Sequence, residues 1–378
     1  MALFQPIQVG DMRLSHRAVM SPVTLFACNS RGEHYELGAK YYGQRASTKG
    51  TMIITEGTYI AKRAIGWYNV PGIWTGGQIA GWKGVVDTVH ERGSYIVLQI
   101  LATGRGLEPK MINNAPDFDY VGASDIPMPG YSTNPRPLTI PEIKEYVDLF
   151  AVAAQNAVFR AGFDAVEIHC ANGYLIDQFL QTTSNHRTDV YGGSIENRIH
   201  FASEVIAAVV AGIGPRKVGI RVSPWATFWG MGMKDPAPTF MELISRVRDL
   251  YPELAYLHVV EPCVNGFKPR EVQPGESNDF LRNIWGSRPL ISTGGYDRDV
   301  AISTAKEKGG LIGFGRYFVA NPDLPVRLKK KIRLAYPDTS KFFDKECEVG
   351  YTDYPFAEEE QAPASASDEE PTEEQCCD

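Results

Sequence analysis

Residues 165–171, Ala-Val-Glu-Ile-His-Cys-Ala, form the short apolar run that decides the fold. An amphipathic stretch precedes it at residues 140–161, and another follows it at residues 198–212. An apolar run between two helical patterns is typical of a strand in a parallel sheet, because parallel strands are joined by crossovers that are usually helices. The segment therefore predicts one strand–helix unit of an α/β protein.

The same unit recurs along the chain. Apolar runs rich in Val and Ile lie at residues 17–23, 52–57, 95–101, 165–171, 218–224, 256–262, 289–295 and 310–316. Eight strand–helix units favour a closed TIM (β/α)8 barrel. An open doubly wound sheet would need a G-x-G-x-x-G fingerprint that opens a helix after an early strand, and the sequence has none.

The composition is that of a soluble globular protein. Of its 378 residues, 43% are hydrophobic and 22% are charged, so a substantial core can be buried. No stretch reaches the roughly 18 apolar residues of a membrane helix. The opening residues, Met-Ala-Leu-Phe-Gln-Pro, lack the basic region and apolar run of a secretory signal. We therefore expect a cytoplasmic protein with no membrane partner.

The net charge is unevenly distributed. Residues 356–378 contain seven Glu, two Asp and no Lys or Arg, a charge of −9 within a total of −7, so residues 1–355 carry only +2. A nearly neutral body gives no reason to expect nucleic-acid binding. The acidic end, rich in Ala, Ser and Pro, has too little apolar surface to fold. We predict one barrel domain at residues 1–355 and a disordered acidic tail at 356–378.

The cysteines do not indicate a metal site. They are Cys28, Cys170, Cys263, Cys347, Cys376 and Cys377. Their spacing fits neither a zinc site nor an iron–sulfur cluster, and the final Cys-Cys-Asp is not a C-a-a-X lipidation box. We expect free thiols and no bound metal.

Residues 103–139, after the third strand, are rich in Pro, Gly, Asn and Asp and show no helical period. Loops of this length are usually functional. We predict an excursion after strand three that covers the mouth of the barrel.

In a TIM barrel the active site lies at the carboxyl ends of the strands, so polar residues and glycines there are the candidates. They are Pro22, Thr24, Gly57, Gln99, His169, Asn172, Tyr174, Arg221, Gly294, Gly295, Gly315 and Arg316. The last four, at the ends of strands seven and eight, fit the phosphate site of barrels, where backbone N–H groups at a helix start bind an anion. For the two adjacent glycines, a tight turn without a ligand is the alternative.

Three polar groups cluster at the end of strand four. His169 and Asn172 can both donate a hydrogen bond to one ligand oxygen, and Tyr174 follows two residues later. A tyrosine with its ordinary pKa of about 10 is protonated at neutral pH and can act as a general acid towards a strongly basic carbanion. A lone histidine at a strand end is more often structural, but the cluster of three favours catalysis.

The surrounding sequence is distinctive. His169-x-x-Asn172-x-Tyr174 continues as Leu-Ile-Asp-Gln-Phe-Leu at 175–180, and residues 189–198 are Asp-Val-Tyr-Gly-Gly-Ser-Ile-Glu-Asn-Arg. Over residues 3–356 the chain resembles the old yellow enzyme family of FMN-dependent ene-reductases. The resemblance favours a fungal member that acts in secondary metabolism.

The resemblance implies bound FMN. Thr24 would bond the flavin carbonyl near N5, Gln99 the pyrimidine edge, and Arg221 the side of N1 and the C2 carbonyl. The ring would be lined by Pro22 and Gly57. The phosphate would be held by Gly294, Gly295, Gly315 and Arg316.

The resemblance also implies a ping-pong ene-reductase with NADPH as co-substrate. NADPH would reduce the flavin in the pocket that later takes a small α,β-unsaturated carbonyl compound, so no separate dinucleotide domain is needed. His169 and Asn172 would hold the carbonyl oxygen, flavin N5 would give hydride to the β-carbon, and Tyr174 would protonate the α-carbon. We expect a monomer or a homodimer.

Three positions depart from the family pattern. Leu101 stands where relatives often have Trp, Phe343 in the pair Phe342-Phe343 stands where many have Tyr, and Cys170 follows the histidine. Leu101 and Phe343 are expected to contact substrate and to alter its choice. Two alternatives stay open: a flavin-dependent, redox-neutral double-bond isomerase, which Tyr174 disfavours, and a flavin-binding protein without turnover.

Overall fold

Eight parallel strands form a closed barrel in the computed structural model, which describes residues 1–108, 111, 118–343 and 348–357. The barrel strands are β1 (Ala18–Met20), β2 (Met52–Ile54), β3 (Tyr95–Leu101), β4 (Ala165–Cys170), β5 (Val218–Val222), β6 (Tyr256–Val260), β7 (Leu290–Thr293) and β8 (Leu311–Phe314). Each strand pairs with the next in the chain, and β8 pairs with β1, so the sheet closes on itself. The predicted TIM barrel is confirmed, and all eight strands lie within the predicted runs.

Helices connect the strands and pack around the barrel. They are α1 (Glu36–Arg45), α2 (Gly76–Glu91), α3 (Ile140–Gln155), α4 (Leu175–Leu180), α5 (Ile195–Arg198), α6 (His200–Ile213), α7 (Ala237–Leu250), α8 (Asp279–Trp285), α9 (Arg298–Glu307), α10 (Arg316–Ala320) and α11 (Leu324–Lys330). Short 3-10 turns lie at Ala2–Phe4, Lys62–Ala64, Gly104–Gly106, Pro215–Lys217, Phe228–Gly230 and Thr339–Phe343. Within the described ranges, no helix has both the length and the apolar character that a membrane span requires.

Two long helices begin with reciprocal caps. Thr75 accepts a hydrogen bond from the backbone N–H of Gln78, whose side chain bonds back to Thr75, and Thr139 and Glu142 do the same at the start of α3. Such caps satisfy N–H groups that the first turn of a helix leaves unpaired. They fix where α2 and α3 begin, ahead of the strands β3 and β4 that carry site residues.

Apolar side chains fill the amino end of the barrel. An antiparallel hairpin, Ile7–Val9 with Met12–Leu14, contributes buried residues to this layer. They pack against barrel residues that include Val19, Met52, Ile54, Val97, Ala165, Ile291 and Leu311. With this end plugged, the polar groups of the barrel are concentrated at the carboxyl ends of the strands.

The excursion after β3 is only partly regular. It contains a short parallel pair, Val121–Gly122 with Arg136–Pro137. Arg63, from the loop after β2, donates to Asp119 in the excursion at 2.7 Å and to Glu145 of α3. These bonds tie the excursion to the loop after β2 and to α3.

Some predictions fall on residues that the structure does not describe. The side chains of Phe342 and Phe343, together with Cys347 and residues 358–378 with Cys376 and Cys377, lie outside the described residues. The tail and the role of Phe343 therefore stay predictions.

The last described segment packs against the barrel. Tyr351 stacks on Tyr41 with ring centroids 4.1 Å apart, and its carbonyl accepts a 2.9 Å hydrogen bond from the buried Arg45. The backbone N–H of Ala357, a residue assigned from the sequence to the tail, donates to Asp323 at 2.9 Å. The contacts that hold the C-terminal segment therefore reach Ala357.

Truncation tests where the folded part ends. Removal of all residues after Ala357 is expected to leave the melting temperature within about 2 °C, because no described contact is lost. Removal of all residues after Gly350 also deletes Tyr351 and leaves Arg45 without one of its acceptors, which should cost about 3 kcal/mol and lower the melting temperature by about 4 °C. Thermal denaturation of both truncated proteins measures the difference, and equal melting temperatures would contradict it.

Candidate active site

The end of β4 brings three of the predicted residues together. His169 lies buried in β4 and Tyr174 directly precedes α4, with their ring centroids 4.7 Å apart. Asn172, between them, has a φ of +56°, a left-handed conformation in which asparagine is several-fold enriched. Its backbone N–H donates to Ser223 Oγ at the end of β5, at 2.8 Å. This turn returns the chain towards His169 and sets Tyr174 against it.

Three polar atoms at this mouth are buried without a hydrogen-bond partner among the described residues. They are His169 Nδ1, Asn172 Oδ1 and Arg221 Nε. An unsatisfied buried polar group costs about 1–3 kcal/mol, so several of them in one place indicate that a ligand completes their hydrogen bonding.

The protonation states of the cluster follow from burial. Burial lowers the pKa of His169 well below its ordinary range, and Arg221 and His258 add to the effect. The imidazole is therefore neutral at physiological pH and has one N–H to donate. Burial raises the pKa of Tyr174 far above its ordinary value, although Arg221 opposes the shift. The phenol therefore keeps its proton.

A buried polar network in the barrel interior supports the site. Gln99 Nε2 donates to Glu167 Oε1 at 2.7 Å, and His258 Nδ1 donates to Glu167 Oε2 at 2.8 Å. Burial opposes the charge on Glu167, but His258, Arg221 and Gln99 together hold its pKa below the ordinary value. Because a carboxylate only accepts hydrogen bonds, it fixes the orientation of the Gln99 amide and leaves Gln99 Oε1 as an acceptor for a ligand.

The ends of β7 and β8 meet beside the loop after β1. Ser21 Oγ and Thr293 Oγ1 lie 3.0 Å apart, and Thr293 Oγ1 donates to the carbonyl of Gly313 at 3.2 Å. Gly294 and Gly295 follow β7 with φ values of +117° and +72°, which favour glycine.

The predicted flavin residues near β1 and β8 are adjacent as well. Pro22 and Thr24 are half-buried in the loop after β1, and Val23 between them lies 3.2 Å from the position that a Cβ on Gly315 would take. Arg316 is the first residue of α10. The structure thus places Gly315 and Arg316 at one helix start, and Gly294 and Gly295 follow the neighbouring strand β7.

An apolar patch lines another side of the mouth. Leu101 is buried and packs with Tyr59 and Val70, and Tyr174 lies against the same cluster. A Cβ on Gly57 would collide with the Leu101 side chain and would lie 3.5 Å from Gln99 Oε1. Gly57 therefore keeps the space beside Gln99 open.

Two tryptophans that were not predicted to belong to the site lie above Tyr174. The Trp229 ring, from the loop after β5, is stacked on Trp67 at 5.2 Å and on Phe228 at 4.9 Å, and it meets Tyr174 edge-on at 5.1 Å. We call Trp67, Phe228 and Trp229 the aromatic wall. It makes this side of the barrel mouth apolar and suited to flat ligands.

The sequence analysis did not assign Glu167, His258, Trp67 or Trp229 to the site, and only for the first two did the sequence contain a pattern that could have done so. Glu167 stands two positions before His169, and alternate residues of a strand share a face, so this carboxylate could have been assigned to the barrel interior. His258 lies within β6, and its side chain reaches the same interior. Trp67 and Trp229 lie in loops without periodicity, so nothing in their spacing predicts that they meet.

Comparison with known proteins gives the family. A match to the NADH:flavin oxidoreductase / NADH oxidase family covers residues 2–335. The chain belongs to this family. Membership confirms the resemblance to old yellow enzyme, and it makes the chain an FMN-dependent oxidoreductase that uses a nicotinamide cofactor.

Several relatives of the flavin oxidoreductase are fungal. An aldehyde reductase of Cladobotryum is 42% identical over 94% of this chain and 94% of its own length. A chanoclavine-I aldehyde reductase of Penicillium roqueforti is 42% identical over 97% of this chain and 99% of its own. Among solved structures, morphinone reductase is 37% identical with a TM-score of 0.87, over 96% of this chain and 98% of its own. Old Yellow Enzyme from Pichia is 34% identical with a TM-score of 0.86, over 97% and 96%.

The low pKa of His169 can be tested in solution. Because burial holds the folded-state pKa well below the ordinary value of about 6.5, the imidazole should not titrate in the pH range where an exposed histidine takes up its proton. NMR of protein labelled at histidine Cε1 measures this, with His169→Gln to assign the signal. An inflection of that signal near pH 6.5 would contradict the expectation.

Proposed function

We propose that the protein is an NADPH-dependent ene-reductase that reduces the C=C bond of α,β-unsaturated carbonyl compounds through bound FMN. One observation carries the proposal: the neutral imidazole of His169 lies beside the protonated phenol of Tyr174 at the barrel mouth, and Asn172, whose amide NH2 can donate, lies on the turn between them. This arrangement can hold a carbonyl oxygen and give a proton to the same substrate.

The residues at the mouth fit FMN. The unpartnered Arg221 Nε and the fixed amide of Gln99 can bond the polar edge of a flavin, and Gly57 leaves room beside them. Pro22 and Thr24 would line the ring, while Gly294, Gly295, Gly315 and Arg316 would hold the phosphate. When bound, FMN takes a hydride from NADPH and supplies one to the substrate β-carbon.

His169 and Asn172 would bind the substrate carbonyl oxygen. As hydride adds to the β-carbon, negative charge develops on this oxygen, and fixed donors at that point stabilise it. Because burial keeps the imidazole neutral, it donates without placing a permanent cation in the pocket. Removal of one such donor typically costs about a hundredfold to a thousandfold in rate.

Tyr174 would supply the second hydrogen of the product. Its raised pKa keeps the phenol protonated, and the α-carbon of an enolate is basic enough to take that proton. A supplied proton commits the enolate to reduction, which disfavours the isomerase alternative. The lost proton is replaced from solvent.

The pocket favours flat, uncharged substrates. Leu101, Tyr59 and Val70 form an apolar patch on one side, and the aromatic wall stands on another. Both fungal relatives named above are aldehyde reductases, so conjugated aldehydes of fungal secondary metabolism are the first substrates to test.

Recognition of the FMN phosphate can be tested on its own. The protein should release one FMN per chain on denaturation, and the apoprotein should bind FMN more tightly than riboflavin. Arg316→Ala should reduce that preference about tenfold, the usual contribution of a charge-assisted hydrogen bond. Flavin fluorescence titration measures both affinities, with Arg13→Ala in the hairpin at the amino end as control. An unchanged preference in Arg316→Ala would contradict the phosphate site.

Substitution of Tyr174 tests the proposed reaction. Tyr174→Phe keeps the ring but removes the acid, so flavin reduction by NADPH should be nearly unchanged while reoxidation by a conjugated enal slows about a hundredfold or more. Anaerobic stopped-flow absorbance separates the two half-reactions. An equal decrease in the rates of both half-reactions would show that Tyr174 is not the acid. If no enal or enone reoxidises the reduced wild-type enzyme, the proposed ene-reductase activity is refuted.

A further inference from the structure

Three polar side chains in and after α4 are completely buried. They are Asp177, Gln178 and Gln181. None of them lies within the group of His169, Asn172 and Tyr174, and the proposed reaction gives them no direct part. Buried polar side chains are costly unless fully hydrogen-bonded, so their partners indicate their purpose.

Asp177 and Gln181 connect two loops of the barrel mouth. Asp177 Oδ2 accepts a hydrogen bond from the backbone N–H of Gly173 at 2.9 Å, in the loop after β4. Gln181 Oε1 accepts from the backbone N–H groups of Gly232 and Met233 at 3.2 and 3.1 Å, in the loop after β5. Gln181 Nε2 donates to Asp177 Oδ1 at 3.2 Å. We call Asp177 and Gln181 the loop bridge.

The direction of every hydrogen bond in the loop bridge is fixed. The two backbone N–H groups require the oxygen of the Gln181 amide, so its NH2 must face Asp177. The NH2 and the Gly173 N–H are both donors, so the side chain at position 177 must accept from each of them. Only a carboxylate does this with both of its oxygens.

The loop bridge acts on the backbone that carries the proposed acid. Gly173 stands between Asn172 and Tyr174, and a Cβ placed on it would lie 3.1 Å from Trp229 Cβ. The far end of the bridge is in the loop that places Trp229 against Tyr174. One pair of side chains therefore sets two elements that contact Tyr174.

Gln178 and Arg105 add the excursion after β3 to the same assembly. Gln178 Nε2 donates to the carbonyls of Gly173 at 2.7 Å and Thr103 at 3.0 Å, and its Oε1 accepts from the Arg105 backbone N–H at 3.2 Å. The buried Arg105 guanidinium in turn donates to the Trp229 carbonyl at 2.9 Å.

Stability alone does not explain a carboxylate at position 177. Burial raises the pKa of Asp177 to about 7, although Gly173, Gln181 and Arg105 oppose the shift. The partners therefore do not fully compensate for burial of the charge, and a well-packed apolar side chain would often be as stable or more so.

We propose that Asp177 and Gln181 are positioning residues, which hold the loop after β4 against the loop after β5 so that Tyr174 meets the substrate α-carbon. The inference rests on the proposed function, because it gives Tyr174 its role there. Neither residue touches substrate.

Exchange of the two side-chain types tests the loop bridge. Asp177→Asn places an NH2 opposite the NH2 of Gln181, and Gln181→Glu places two carboxylates together, so each single variant breaks one bond. The double variant restores all of them, and only the bond between the two side chains changes direction. Its amide at position 177 accepts from Gly173 and donates to the new carboxylate at position 181, which accepts from Gly232 and Met233. Rescue of this kind is not expected from a residue that only fills space.

The half-reactions of the holoenzymes give the main readout. Asp177→Asn should slow reoxidation by a conjugated enal about tenfold or more while flavin reduction by NADPH stays within twofold, because a misplaced acid affects only protonation. The double variant should return to within threefold of the wild type. Asp323→Asn is the control, since Asp323 is also a buried aspartate but bonds to Arg327 and Ala357. It should lower stability without slowing reoxidation.

Two results would overturn the loop bridge. One is reoxidation of Asp177→Asn within twofold of the wild type, and the other is a double variant no faster than Asp177→Asn although both hold full FMN. Hydrogen exchange of residues 171–175 gives a readout that is independent of the reaction, and it should be faster in Asp177→Asn. If no enal reoxidises the wild type, the proposed function fails. In that case the loop bridge is still tested by hydrogen exchange, and an unchanged rate in Asp177→Asn would overturn it.

Discussion

Closure of the sheet is the constraint on which the rest of the structure depends. Pairing of β8 with β1 completes a ring of parallel strands, so all eight carboxyl ends lie on one rim. Residues far apart in the chain, such as Ser21 and Thr293, then come within hydrogen-bonding distance. Apolar side chains and the hairpin fill the amino end of the barrel, so the polar site residues lie at this rim.

Polar groups inside the barrel fall into two kinds. Glu167 is bonded by protein groups on both oxygens, and it neutralises part of the field of Arg221 while it orients Gln99. His169 Nδ1, Asn172 Oδ1 and Arg221 Nε lack protein partners in the part of the chain that the structure describes. The first kind fixes geometry, and the second lies at the mouth where we propose that flavin and substrate bind.

Local pattern was enough to predict much of this molecule. The strands are short apolar runs between helical stretches, and each was recognisable because a buried parallel strand has little choice of residue type. His169, Asn172 and Tyr174 were recognisable because they cluster within six residues at a strand end. Trp229 and the loop bridge could not be recognised from the sequence. Their contacts join loops from different βα units and depend on left-handed backbone at Asn172 and Trp229. Asp177 lies in the Leu-Ile-Asp-Gln-Phe-Leu segment at 175–180, yet only its bonds to the Gly173 N–H and the Gln181 amide reveal what it does.

The central claim is that protonation at the α-carbon, by Tyr174, completes reduction of the C=C bond. The most direct measurement is anaerobic turnover of an α-methyl enal with NADPH in D2O, followed by NMR of the product before it exchanges. The account predicts a saturated aldehyde with one deuterium at the α-carbon, in a single configuration, and none at the β-carbon. An unsaturated alcohol with its C=C bond intact would contradict the account.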